Sequence, residues 1–122
     1  MTFPIRIELP YPPSIWDMYV GWGKTRRLSP EYASWREAAG LFINRARKGD
    51  KAIAVPFSVQ IGLRRPNKRQ DVDNRIKPVL DALQHFGVIK NDNLCERAEA
   101  LWTAGPQECV VIISEAQEAL AA

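Results

Sequence analysis

Two aspartates separated by one residue, Asp71 and Asp73, follow a run of basic residues in the stretch RRPNKRQDVDNRIKPVLDAL, which begins at Arg64. Carboxylate oxygens are the ligands that Mg²⁺ prefers, and this ion needs only one or two of them because it keeps several waters. A metal ion beside a cluster of cations suits a polyanionic substrate, since metal-activated water can hydrolyse a phosphodiester. The stretch therefore predicts either a metal site for phosphodiester hydrolysis or a surface salt-bridge patch.

The spacing indicates how the charged groups could meet. In an extended chain, residues two apart point to the same side, so Asp71 and Asp73 could bind one ion. Lys77 lies one helical turn after Asp73, where it could hold a scissile phosphate or form an ion pair with that aspartate. Asp92 could approach both if the chain turns back after the helix, which spacing alone does not decide. Asp81 lies one further turn along the helix, and it is interpreted either as a solvated charge or as a residue that supports the site without binding the metal.

Basic and aromatic side chains surround this motif in the sequence. A loop over residues 14–28 mixes Trp16, Tyr19 and Trp22 with cations, and it could stack on or wedge between unpaired bases. The alternative is that these aromatics close over the core or a dimer partner. The candidate contacts to a phosphate backbone are Arg64, Arg65, Lys68, Arg69 and Arg75, together with Lys24, Arg26 and Arg27 in the loop.

Length and composition fit one domain spanning residues 1–122, with 46% hydrophobic residues and a formal net charge of +3. Cys95 and Cys109 form no CxxC pair, which disfavours a zinc site or a disulfide framework. The sole histidine, His85, falls near a predicted helix end and is interpreted as a partner of the helix dipole. No apolar run is long enough for a membrane span, so we expect a soluble, cytoplasmic protein.

The pattern of apolar residues predicts a single small α/β domain with a mixed β-sheet and two main helices packed on it. Alternation predicts strands over residues 3–9, 53–63, 98–103 and 108–114, the last two joined by a turn at Gly105 and Pro106. Ser29 and Pro30 begin a helix that runs to about residue 48, and a second helix covers residues 73–85 before Gly87. The predicted order is β-α-β-α-β-β.

The segment RPNKRQDVDNRIKPVLDALQHFGVIKND resembles the core of the RusA-type Holliday junction resolvases. The shared features are a basic run, D-x-D-N, a lysine four residues beyond the second aspartate, L-D-A-L, a glycine and a late aspartate. LPYPPS near the N-terminus is similar to the family's opening strand and proline turn. The sequence departs from the family at Gln70, where a basic residue can occur.

The resemblance implies a homodimeric, Mg²⁺-dependent endonuclease that cuts two opposed strands of a four-way DNA junction, with Mn²⁺ as a substitute ion. Asp71, Asp73 and Asp92 would be the metal-binding residues, and Lys77 would be the essential lysine. A two-fold dimer carries two sites, which matches the two symmetric nicks that a junction needs.

Two other functions stay open at the level of sequence. The chain could be a branched-DNA binding module with little or no catalysis, which would bind tightly in EDTA and form no product with Mg²⁺. It could also be a metal-dependent nuclease for another substrate, such as DNA flaps or RNA. Comparing branched DNA with linear duplex and single strands would separate these functions.

Overall fold

The computed structural model describes residues 3–47, 49–66 and 69–116. It contains a four-stranded sheet, two α-helices and a short two-stranded hairpin. Along the chain these elements are β1 (Ile5–Leu9), β2 (Tyr19–Val20), β3 (Arg27–Leu28), α1 (Pro30–Arg47), β4 (Phe57–Arg64), α2 (Ile76–His85), β5 (Cys95–Thr103) and β6 (Cys109–Glu115). The predicted class and order are confirmed, with the hairpin β2–β3 added inside the predicted loop.

The sheet is mixed, with the strand order β1-β6-β4-β5. Strand β4 pairs with β6 in the antiparallel sense and with β5 in the parallel sense. The last two strands therefore lie on opposite sides of β4 and do not pair with each other. The connection between the parallel neighbours β4 and β5 contains α2, as parallel strands require a long crossover.

Side-chain alternation explains which face of the sheet carries the core. Ile5, Ile7 and Leu9 of β1 are buried, while Arg6 and Glu8 point away from the core and form an ion pair. The predicted second strand begins at Phe57 rather than at residue 53, and a proline, which has no N–H for the ladder, comes directly before Phe57. Three residues further upstream, Ile53 makes an isolated parallel bridge to Ile89.

Strand β5 is longer than predicted, because it begins at Cys95 and not at residue 98. It lies at an edge of the described sheet, and most of its side chains are exposed or half-buried. A strand with no deeply buried face shows no clear apolar alternation, which is the signal that the sequence prediction used.

Helix α1 begins where predicted. The Ser29 hydroxyl accepts a hydrogen bond from the Tyr32 amide at 2.9 Å, which is the capping contact expected of an N-cap serine. Tyr32, Trp35, Ala39 and Ile43 are buried along one face. The apolar pattern of the sequence also predicts residues 42 and 46 on the buried face, which is wrong, since both side chains are exposed.

Two aromatic residues of α1 fasten it to the rest of the domain. The Tyr32 hydroxyl donates to the Pro78 carbonyl of α2 at 3.0 Å, and the Trp35 ring nitrogen donates to the Pro10 carbonyl at 3.0 Å. Burial raises the pKa of the Tyr32 hydroxyl well above its ordinary value, so it stays protonated and remains a donor. The two bonds place α1 against both α2 and the proline turn after β1.

Replacing Tyr32 with phenylalanine should lower the free energy of unfolding by about 1 kcal/mol, because one buried hydrogen bond is lost. Denaturant unfolding would measure this as a lower midpoint with an unchanged slope. Tyr19→Phe is the matched control, since the Tyr19 side chain is exposed and should show no change. Equal midpoints for Tyr32→Phe and the parent protein would contradict a stabilising role for this bond.

Both cysteines are free thiols, with Cys109 buried and Cys95 half-buried. Burial raises the pKa of the Cys109 thiol to about 12 and also raises that of Cys95. Neither group is a thiolate near neutral pH, so neither has the character of a catalytic nucleophile. Within the described residues, none of the helices has the length and apolar character needed to cross a membrane.

Candidate active site

The two aspartates of the D-x-D motif are presented by a turn that leads into α2. Asp71 is extended and precedes a 3-10 helix over Val72–Arg75, and Asp73 lies in the first turn of that helix. Only one of the two is therefore in extended chain, which corrects the predicted geometry. Both side chains are exposed, and within the described part of the chain neither carboxylate forms a hydrogen bond or an ion pair.

Helix α2 positions Asp92 through side chains that lie on one face of the helix. Lys77, Asp81 and Gln84 follow at helical spacing, so they lie on the same side. The Lys77 ammonium lies 2.7 Å from Asp92 Oδ2 and 3.0 Å from Asp81 Oδ1. The Asp92 amide donates to Gln84 Oε1 at 2.8 Å. Asp92 is therefore held at its backbone by one end of α2 and at its carboxylate by the other.

These contacts change two predictions about charge pairing. Lys77 pairs with Asp81 and Asp92, and the predicted ion pair with Asp73 is absent from the described contacts. Asp81 is not a solvated charge, because it contacts the lysine and its side chain is only 24% exposed. Turning of the chain at Gly87, whose φ is 74°, brings Asp92 back to α2 as the sequence allowed.

The hydrogen bonds that Lys77 donates to Asp92 and then to Asp81 raise the pKa of this lysine above its ordinary value. A raised lysine pKa means that the cation is favoured in the folded state. Its contribution to stability is complete below the pKa of a free lysine and is lost only as pH rises through the higher folded pKa. Lys77 is therefore a cation at neutral pH and cannot act there as a general base.

Arg75 is tied to the domain rather than extended into solvent. Its guanidinium donates to the Pro12 carbonyl at 2.6 Å and to Gln70 Oε1 at 2.5 Å. It also lies 4.9 Å from the centroid of the Tyr11 ring. These contacts join the proline turn after β1 to the turn that carries Asp71 and Asp73, which we call the acidic turn. They favour a role for Arg75 in positioning the acidic turn. A contact from Arg75 to a phosphate backbone stays a prediction.

We expect Arg75→Lys to lower the free energy of unfolding by about 2 kcal/mol, because lysine cannot span two acceptors as the guanidinium fork does. Denaturant unfolding would measure this loss as a lower midpoint. A midpoint equal to that of the parent protein would contradict the positioning role.

The other predicted phosphate contacts lie in three places. Arg64 bonds to the Pro106 carbonyl and pairs with Glu108, and the Arg65 guanidinium lies 5.9 Å from the Trp102 ring centroid, so both face the turn between β5 and β6. Arg69 lies beside Asp71. Lys68 falls outside the described residues. The loop cations Lys24, Arg26 and Arg27 lie in residues 14–28, the segment that contains β2 and β3 and that we call the hairpin region. All three are exposed.

An open groove of about 420 Å³ joins the acidic turn to the start of the hairpin region. Its walls combine a carboxylate, guanidinium groups and neutral polar groups, and they are formed by Ser14, Arg69, Gln70, Asp71, Asn74 and Arg75. A surface of this composition can contact an anion through its cations while it keeps a carboxylate available for a metal. The groove therefore places the acidic motif on a surface that suits a polyanion.

The donor set fits a hard divalent cation, since it consists of oxygen ligands and includes two carboxylates without partners in the described contacts. Across residues 3–47, 49–66 and 69–116, however, no three Asp, Glu, His or Cys side chains are grouped closely enough to hold a metal ion together. The Lys77 ammonium occupies the Asp92 carboxylate instead. The ammonium contacts Oδ2, so a metal ion bound by Asp92 would either share this carboxylate with Lys77 or displace the lysine from it.

A mixed α/β domain that carries two aspartates on one turn, a cationic lysine on the helix that follows and arginines beside the groove has side chains that suit a metal-dependent nuclease. Comparison with known proteins agrees with this class. Residues 10–113 match the family described as endodeoxyribonuclease RusA. Because this match covers well over half of the sequence, the chain belongs to the RusA endodeoxyribonuclease family.

A curated relative supports the same assignment. Over 66 residues the chain is 42% identical to the crossover junction endodeoxyribonuclease RusA of Aquifex aeolicus (strain VF5). This match covers 53% of the chain and 52% of the relative, so the chain spans about half the length of the curated relative it matches.

Proposed function

We propose that this protein is a structure-selective endodeoxyribonuclease that resolves Holliday junctions by paired, Mg²⁺-dependent phosphodiester hydrolysis in DNA recombination and repair. Family membership supports nuclease activity, and the contact between Lys77 and Asp92 is the structural observation that carries the proposal. It brings the late aspartate and the lysine of the motif together across a gap of fifteen residues. Asp71 and Asp73 lie on the turn immediately before the same helix.

In this proposal Asp71, Asp73 and Asp92 hold the metal, and Lys77 contacts the phosphate. A bound Mg²⁺ would lower the pKa of a water and neutralise charge on the phosphate oxygens. Attack by water forms a new P–O bond, the bond to the leaving sugar oxygen breaks, and that oxygen takes up a proton. Lys77 stabilises the charge that accumulates on the phosphate, because it is cationic throughout the neutral range.

Arg69 and the hairpin cations would attract the DNA backbone to the groove without reading its sequence. Arg64, Arg65 and Lys68 would extend the same contacts further along the DNA. All of these contacts should weaken as salt rises, because each neutralised phosphate releases counterions. Salt dependence of binding is therefore part of the expected behaviour.

The assembly and location follow from the same proposal. We expect a homodimer, because two opposed cuts in a four-way junction call for two sites related by a two-fold axis. Each subunit would be one domain over residues 1–122, which agrees with the pairing of β1 and β6 from opposite ends of the chain. Mn²⁺ should replace Mg²⁺, and we expect a cytoplasmic location.

A second candidate function is a branched-DNA binding module with little or no catalysis. The absence of a three-carboxylate metal cluster among the described residues favours it. Such a module would use the groove and its cations in the same way. It would differ only in forming no product when Mg²⁺ or Mn²⁺ is present.

Cleavage of a labelled synthetic four-way junction, with and without Mg²⁺, tests the two functions directly. A linear duplex of the same sequence, single strands and a flap substrate serve as comparisons. Symmetric paired nicks that need the metal and occur only on the junction would support the resolvase. Tight binding without cutting, with Mn²⁺ also tried, would favour the binding module, and preferential cutting of flaps would indicate another nuclease.

A further inference from the structure

The hairpin region between β1 and α1 presents two tryptophan side chains to solvent. Trp22 is 90% exposed and Trp16 is 79% exposed. Closure of these aromatics over the core, one of the alternatives left open by the sequence, is therefore wrong for both. Large aromatic side chains left in water mark a surface on which a partner binds, because they bury much apolar area when they are covered.

Local hydrogen bonds hold the backbone of both tryptophans in place. The Trp16 amide donates to the Ser14 hydroxyl at 3.2 Å. The Trp22 amide donates to Thr25 Oγ1 at 3.1 Å, and that hydroxyl donates back to the Trp22 carbonyl at 2.7 Å. Gly21 has a φ of 88°, and a Cβ there would lie 2.4 Å from the Thr25 carbonyl oxygen, so only glycine fits this turn.

The base of the hairpin is anchored in the core. Met18 is buried, and its carbonyl accepts a hydrogen bond from the Ser29 amide at 2.9 Å. The Ser29 hydroxyl donates to the Asp17 carbonyl at 2.5 Å while it caps α1. A pre-ordered surface loses little conformational entropy on binding, which favours its use as a recognition element.

The charges around the two indoles indicate that the partner is an anion. Lys24, Arg26 and Arg27 stand against a single acidic residue, Asp17, in this region. The Arg26 guanidinium lies 4.3 Å from the centroid of the Tyr19 ring, so a cation and an aromatic face are already combined there. Aromatic faces interleaved with cations suit nucleic acid, since bases stack on the rings while phosphates meet the cations.

The position of the hairpin region relative to the acidic turn favours branched DNA over a linear duplex. Ser14, which bonds to the Trp16 amide, lines the same groove as Asp71 and Arg69. DNA bound at the acidic motif would therefore pass the start of this region. Bases inside a linear duplex are already stacked on one another and cannot accept an indole without being unstacked, whereas the stack of base pairs is interrupted at a branch point.

We propose that Trp16 and Trp22 stack on bases exposed at the branch point of DNA that is bound at the acidic motif, and that this contact gives preference for branched over linear DNA. The inference rests on the proposed function, because it assumes that DNA occupies the groove. It assigns the discrimination between DNA shapes to two side chains that lie outside the metal-binding motif. The cations of the hairpin contribute affinity for either shape.

Binding in EDTA tests the proposal without any cleavage. We expect Trp22→Ala and Trp16→Ala each to bind a synthetic four-way junction about 10- to 100-fold more weakly. Affinity for a linear duplex should change less than threefold, because phosphate contacts remain. Trp22→Phe should keep most of the junction affinity and Trp22→Leu should not, since only phenylalanine retains a flat aromatic face. Leu41→Ala removes an exposed apolar side chain from α1 and is the matched control.

A second measurement reports stacking directly. A fluorescent adenine analogue placed at the branch point should be quenched by the parent protein and by Trp22→Phe, and less by Trp22→Leu. Equal weakening on junction and duplex, or unchanged junction binding by all variants, would overturn the inference. If the parent protein cleaves junctions while the variants keep their preference, the inference alone fails. If the parent protein does not bind branched DNA, the proposed function fails with it.

Discussion

Asp73→Asn is expected to abolish cleavage of a four-way junction while the protein continues to bind it. The substitution converts the carboxylate into a neutral amide, so the proposed metal site loses one oxygen ligand and one negative charge. We expect the rate to fall by at least about 100-fold, as losses of one electrostatic contact to a transition state do. Binding measured in EDTA should stay equal or tighten, because a charge that repels phosphates has gone.

The stability of the Asp73→Asn protein should match that of the parent, since the Asp73 side chain is exposed and has no partner in the described contacts. Glu37→Gln, which neutralises an exposed carboxylate on α1, is the control for charge alone and should leave cleavage unchanged. Joint loss of binding and cleavage in a folded Asp73→Asn protein would argue against a role in metal binding.

Lys77→Met is expected to abolish cleavage for a different reason, and it should leave metal binding intact or tighter. The lysine occupies Asp92 at 2.7 Å, so its ammonium competes with a divalent cation for that carboxylate and repels it. Removing the ammonium eliminates both effects. The rate should still fall about 100-fold or more, because no cation then stabilises the transferring phosphate.

Calorimetric titration with Mn²⁺, together with cleavage rates, separates these two effects. Lys77→Arg is the control that keeps the charge, and it should retain part of the rate and the weaker metal binding of the parent. Because its carboxylate partners raise the lysine pKa, the rate of the parent protein should show no loss attributable to Lys77 between about pH 6 and pH 9. Weaker metal binding by Lys77→Met would show that the lysine supports the site rather than competing with the metal.

Local rules of sequence explain why much of the fold could be predicted. Alternation identified β1 and most of β4, and the Ser29-Pro30 pair located the start of α1, because strand faces and helix caps depend on residues close in sequence. The 3-10 turn over Val72–Arg75 was missed, since four residues carry no periodic signal. Strand β5 was shortened for the related reason that an exposed edge strand has no clear apolar face.

The choice of side-chain partners could not be predicted. From the sequence, Lys77 could have paired with Asp73, Asp81 or Asp92. Its contact with Asp92 depends on how the chain returns after α2. Gln70, an unexplained departure from the family pattern, accepts a hydrogen bond from Arg75. A basic residue in that conformation would face the guanidinium, so the neutral amide is compatible with the bond that Arg75 makes here.

The parallel pairing of β4 and β5 has a consequence for heat inactivation. The whole proposed site lies in the connection between these two strands, with Asp92 held just before β5, and β5 has only one partner in the described sheet. Edge segments open locally at a lower free energy than the central part of a domain. Transient detachment of β5 would therefore release the chain that follows Asp92 while β1, β6 and β4 stayed paired, and we expect catalytic competence to decline on warming before the domain as a whole melts.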